Sequence, residues 1–113
     1  MSGRVSDFPP LLSVGIHEVT VERLRLIGVE GFPLSTTRGP IMNGFLRVVH
    51  DLTALRVVCD LLVDGSFLTE EIDPEDIDFA VCVTPEFYES CSDPQRRFLE
   101  WIRDDFTIRD THF

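Results

Sequence analysis

Asp76 and Asp78 lie two residues apart at the start of an apolar stretch, Ile77 to Val83, that reads as a strand. Side chains at alternate strand positions leave the same face of a sheet, so two carboxylates converge on one point. Left alone, their like charges would raise one pKa and cost stability, whereas a hard divalent cation is bound by this kind of oxygen pair. The spacing points to magnesium, as one or two ions. Ahead of this pair a shorter apolar run, Leu61 to Val63, ends in Asp64, Gly65 and Ser66, with ten residues from Ser66 to Asp76. At such a strand end a missing side chain lets a phosphate approach backbone amides closely, and the Ser66 hydroxyl adds a donor. If the two strands are neighbours, a triphosphate held at Gly65 and Ser66 lies within reach of metal held by Asp76 and Asp78. The chemistry this assembles is in-line nucleotidyl transfer, in which metal activates the attacking oxygen and offsets charge on the leaving pyrophosphate.

Several elements must position these residues. Leu61 to Val63 has the length of a buried strand that stops in a tight turn, and the segment with Asp73 and Pro74 that leads to the second strand reads as a loop. From Thr37 onward Ile41, Phe45, Val48, Val49, Leu52 and Leu55 recur at three- and four-residue spacing, with Pro40 suited to a first turn; this predicts the longest helix. Thr20 is placed as the N-cap of a shorter helix running through Leu24 and Ile27 to Val29, ended by Gly31 and Pro33. Asp93 and Pro94 form an N-cap and first-turn pair for a last helix ending near Asp105, with Phe98 and Trp101 read as core. Phe106 to Phe113 alternates as a final strand would. The run Phe8, Pro9, Pro10, Leu11, Leu12 cannot continue a helix or a central strand, so residues 1–16 are expected to lie extended over the domain.

At 113 residues there is room for one domain and one core, spanning residues 1–113. Hydrophobic residues make up 43% and aromatics 10%, with nine Phe, enough to fold without disulfides or a structural metal. Cys59, Cys82 and Cys91 show neither disulfide nor zinc-ligand spacing, which fits a reducing cytoplasm. No stretch reaches the roughly 20 apolar residues of a membrane helix, and no signal peptide is read at Met1 to Pro10. Twenty acidic residues face ten arginines and no lysine, for a formal charge of -10. Such a surface repels a nucleic-acid backbone, so nucleic acid is not expected as the main ligand.

The chain resembles the polymerase-beta-like nucleotidyltransferase superfamily, whose motif is an apolar strand, Gly-Ser, about ten residues, and then Asp-x-Asp between apolar residues. Leu62, Val63, Asp64, Gly65, Ser66 and then Glu75, Asp76, Ile77, Asp78, Phe79 carry the likeness. With Phe8 to Leu12 and Gly15 to Thr20 ahead of it, most of the chain looks like a group of short bacterial proteins allied to that superfamily. The resemblance implies an α+β fold, a mixed sheet flanked by helices, with Asp76 and Asp78 as magnesium ligands and catalytic residues. It also implies a third carboxylate from a later strand, for which Asp110 is the candidate, and a nucleoside triphosphate, ATP first, held at Gly65 and Ser66. The acceptor it implies is a protein or small molecule, in a bacterial toxin-antitoxin or phage-defence setting. Phe67 and Leu68 stand where many minimal members carry a basic residue. A catalytically silent module of the same fold, neutralising a basic protein partner by contact, is the alternative reading, and an acidic mimic of nucleic acid is a third.

Other polar residues are read as structural. Arg38, at the start of the long helix, is expected to be a solvated surface residue. His17, His50 and His112 show no ligand or triad spacing, and Glu70, Glu71, Asp73 and Glu75 are expected to form a solvated acidic turn.

Overall fold

The computed structural model describes residues 10–13, 15 and 17–105. Thr20 caps the first helix as its sequence position suggests, its hydroxyl accepting the Arg23 N–H at 3.0 Å, and α1 spans Val21–Arg25. The helix then widens into a π-helical turn, Leu26–Glu30, and ends at Gly31, whose N–H donates to the Leu26 carbonyl at 3.1 Å. Gly28, within that turn, lies directly under the Phe67 ring; a Cβ there would sit 2.5 Å from Cε2.

The long helix, α2, runs Arg38–Ala54 and buries Ile41, Met42, Phe45, Val48 and Leu52. These are the positions of the three- and four-residue repeat, with Met42 added and Val49 and Leu55 only half-buried. Strand β1, Asp60–Asp64, pairs antiparallel with β2, Asp78–Cys82, in a register that sets Asp60 opposite Cys82 and Asp64 opposite Asp78. Leu61, Val63, Phe79 and Val81 pack inward on the core, and Phe79 meets Phe45 edge-on with ring centroids 5.4 Å apart. Asp60, Leu62 and Asp64 alternate with them on the outer, exposed face. The fold is α+β, as expected. Among the described residues the sheet is this antiparallel pair, while the strand expected over 106–113 lies outside them.

A three-residue 3-10 turn, Ser66–Leu68, follows β1. Pro10 bridges Thr69 in antiparallel fashion and the Leu11 N–H donates to the Leu68 carbonyl at 2.9 Å. The described part of the leading segment therefore lies against this turn.

Two features beyond β2 correct the sequence reading. A short helix, α3, spans Pro85–Ser90, capped by the Thr84 hydroxyl, which accepts the Phe87 N–H at 3.1 Å. The last helix, α4, spans Asp93–Asp105, but its cap is Ser92. The Ser92 hydroxyl accepts the Gln95 N–H at 3.3 Å and the Gln95 side-chain oxygen accepts the Ser92 N–H at 2.7 Å, a reciprocal capping box that places Asp93 and Pro94 inside the first turn. Leu99 is the residue that α4 buries in the core; Trp101, expected there, is 43% exposed, on the flank of the helix beside Phe98. Among the described residues no helix is long and apolar enough to cross a membrane.

Candidate functional site

β1 runs out at Asp64, and the next residue, Gly65, adopts φ +86°, ψ -163°, a region closed to residues with side chains. The antiparallel register brings β2 alongside, so the Asp78 carboxylate comes to rest against the bare Cα of Gly65. A Cβ at that position would overlap the carboxylate, lying 3.0 Å from its carbon. The two strands are neighbours, and Gly65 is in contact with one of the two aspartates proposed to hold metal.

Ile77 is buried in the core, so Asp76 and Asp78 on either side of it emerge on the opposite face, both half-buried. Asp64 faces Asp78 across the sheet, where directly opposed Cβ atoms stand about 5 Å apart. It adds a carboxylate that sequence reasoning does not place at the site, because the pairing depends on strand register. Asp110, the candidate third ligand, lies outside the described residues. Among the described residues no three His, Cys, Asp or Glu side chains group closely enough to hold a metal by themselves. Magnesium usually combines one or two carboxylates with substrate phosphate oxygens, and the pair formed by Asp76 and Asp78 matches that donor chemistry.

The turn after Gly65 is tied into itself. The Leu68 N–H donates to the Gly65 carbonyl at 3.1 Å, and the Ser66 carbonyl accepts both the Thr69 N–H at 3.1 Å and the Thr69 hydroxyl at 2.7 Å. Ser66 is 5% exposed, and Phe67 is fully buried against Gly28. The position after Gly-Ser thus fills the core instead of presenting a cation to a phosphate.

Arg38 overturns the expectation of a solvated residue. It is 0% exposed, its guanidinium carbon 3.8 Å from the centre of the Phe32 ring and 4.9 Å from that of Phe67. Nε donates to the Glu71 carbonyl at 3.1 Å; Nη1 donates to the Gly28 carbonyl at 2.9 Å and to that of Phe67 at 2.7 Å; Nη2 donates to the carbonyls of Thr69 and Glu71, each at 2.7 Å. Burial pushes its pKa down to about 10, against the pull of the Glu71 and Asp73 charges, so it stays charged at neutral pH. No local signal marks this role, since its carbonyl partners come from two distant stretches of chain, residue 28 and residues 67–71.

Asp73 is also more than a member of a solvated acidic turn. Although exposed, its Oδ1 accepts the Thr36 N–H at 2.8 Å, the Ser35 hydroxyl at 3.0 Å and the Thr37 N–H at 3.3 Å, tying down the residues that lead into α2. These bonds, that from the Thr36 N–H foremost, hold its pKa below the ordinary carboxylate value. His17 bonds only to Ser13, through the carbonyl at 2.9 Å and the hydroxyl at 3.3 Å, among the described contacts, and His50 is exposed on α2. His112 lies outside the described residues.

Residues 6–110 match the model of a family of unknown function, DUF6932. No curated protein and no solved structure matches the chain.

Proposed function

We propose, from the premise that this chain belongs to the DUF6932 family of unknown function and from the geometry of its turn, that it is a magnesium-dependent nucleotidyltransferase-like protein. It transfers a nucleoside monophosphate from a nucleoside triphosphate, ATP first, to a protein or small acceptor in the cytoplasm, in a toxin-antitoxin or phage-defence setting. The observation that carries this reading is the packing of Gly65 against the Asp78 carboxylate, because it joins a bare backbone turn to an acidic strand edge. The likeness of the Gly-Ser and Asp-x-Asp segments to the polymerase-beta-like superfamily supports it independently.

Asp76 and Asp78 would hold magnesium, whose chemistry there is charge stabilisation on the transferred phosphoryl group. The backbone of Gly65 and Ser66 binds the polyphosphate beside the Asp78 carboxylate, which takes the space that a side chain at 65 would fill. Asp64 borders the same face and Asp110 is kept as the proposed third carboxylate.

Calorimetric titration of ATP and other nucleoside triphosphates, each with magnesium, tests this in the wild type and in a folded Asp76→Ala, Asp78→Ala double variant. Metal-dependent binding by the wild type that the variant lacks is expected. A wild type that binds no nucleotide sinks the reading and leaves the second one, a silent module that neutralises a basic protein. Full burial of Phe67 beside the Gly-Ser turn and the charge of -10 favour that alternative.

A further inference from the structure

The connection from Gly65 to Asp76 joins the two halves of the candidate site, yet beyond the three-residue turn Ser66–Leu68 it has no helix or strand of its own to hold it. Its order has to come from elsewhere. From α2, the fork of Arg38 takes the carbonyls of Phe67, Thr69 and Glu71 on this connection and that of Gly28 on the π-helical turn, which occupies all five of its N–H groups. In the opposite direction, Asp73 on the connection takes the amides of Thr36 and Thr37 just ahead of α2. The helix start and the connection therefore hold each other from both sides.

We infer that Arg38 is the positioning residue of this site: its guanidinium, buried against the carbonyls of Phe67, Thr69 and Glu71 that follow Gly65 and Ser66, sets where that turn stands relative to the Asp78 strand. The chemistry requires a planar fork. A lysine has three donors radiating from one point and cannot reach carbonyls spread over residues 28, 67, 69 and 71, even though it keeps the charge. With every N–H of Arg38 committed to a carbonyl, the residue acts on a bound phosphate only through the turn that it holds.

Native-state hydrogen exchange and nucleotide affinity together test this, in the wild type, Arg38→Lys and the milder Asp73→Asn. The exchange arm needs no ligand; the affinity arm rests on the proposed magnesium–nucleotide reading. In Arg38→Lys the amides of Leu68 and Thr69, which close the turn on Gly65 and Ser66, should exchange roughly 100-fold faster while those of Phe45 and Val48 in α2 change far less. Magnesium–ATP affinity should fall at least about 10-fold at a temperature where the variant is folded. Asp73→Asn should show the same local pattern at smaller amplitude, and it serves alone if Arg38→Lys does not fold. Equal acceleration of turn and α2 amides, or none in the turn, overturns the inference, because a residue that merely stabilises the fold moves all of them together. A wild type that binds no nucleotide overturns the proposed function, while the exchange arm still decides the role of Arg38.

Discussion

The backbone angle of Gly65 and its contact with Asp78 each exclude a side chain at that position. Gly65→Ala should destabilise the fold by about 1 to 3 kcal/mol through backbone strain alone, measured by denaturant unfolding, and should abolish magnesium–nucleotide binding by displacing the Asp78 carboxylate. Asp73 gives a pH signature. Because its folded pKa lies below the ordinary value of 3.8, its contribution to stability is fully present above that value and is lost as pH falls through the lower folded one. The gap in unfolding midpoint between wild type and Asp73→Asn should hold steady above about pH 5 and close as pH falls below about 4; a gap that persists in acid would show that the carboxylate charge is not what holds the lead-in to α2. That Gly65 and Asp78 lie together could be read from residue type and spacing, because each ends or begins an apolar run and the two runs pair as neighbouring strands. The place of Arg38 could not, since nothing in its neighbours announces that carbonyls at residues 28, 67, 69 and 71 will converge on it.

The elements that declared themselves were those long enough to show a period or an apolar run. The α2 repeat reports its period directly, whereas β1 and β2 show in the sequence as short apolar runs; Leu62, 52% exposed, departs from the buried strand expected at Leu61 to Val63. α3 has six residues and buries none of them, leaving no period to read. Its only signal is Thr84 ahead of Pro85, a capping pair. The widened turn Leu26–Glu30 depends on tertiary packing, with Phe67 pressed on Gly28. Gln95 links two elements: besides its part in the Ser92 capping box, its side-chain nitrogen donates to the Leu55 carbonyl at 2.7 Å, just past the end of α2. Gln95→Ala should therefore cost about 1 to 2 kcal/mol, the sum of a lost cap and a lost hydrogen bond, read from the chemical unfolding midpoint. A loss no greater than that of an exposed α4 residue such as Arg97 would show that the link contributes nothing.

Across the whole molecule, a formal charge of -10 on 113 residues means that self-repulsion opposes the compact state. Raising sodium chloride from about 10 mM to about 150 mM shortens the screening length roughly fourfold and should raise the thermal midpoint; a midpoint that falls would mean that attractive ion pairs outweigh the net repulsion. The same acidity bears on the proposed site, where Asp64 stands opposite Asp78 across the sheet. An acidic face of this kind accepts a polyphosphate only together with a divalent cation, so metal and nucleotide should bind as a coupled pair.

That coupling makes localisation of the cation the most direct test of the central claim. Manganese(II), a paramagnetic stand-in for magnesium, is added at substoichiometric amounts with ATP to nitrogen-15-labelled protein, and the loss of amide signals is mapped by residue. Loss is expected to centre on Gly65, Ser66 and Asp76 to Asp78, to depend on ATP and to be absent in the Asp76→Ala, Asp78→Ala variant. Loss centred elsewhere on the chain, or spread evenly over its acidic surface, would contradict it.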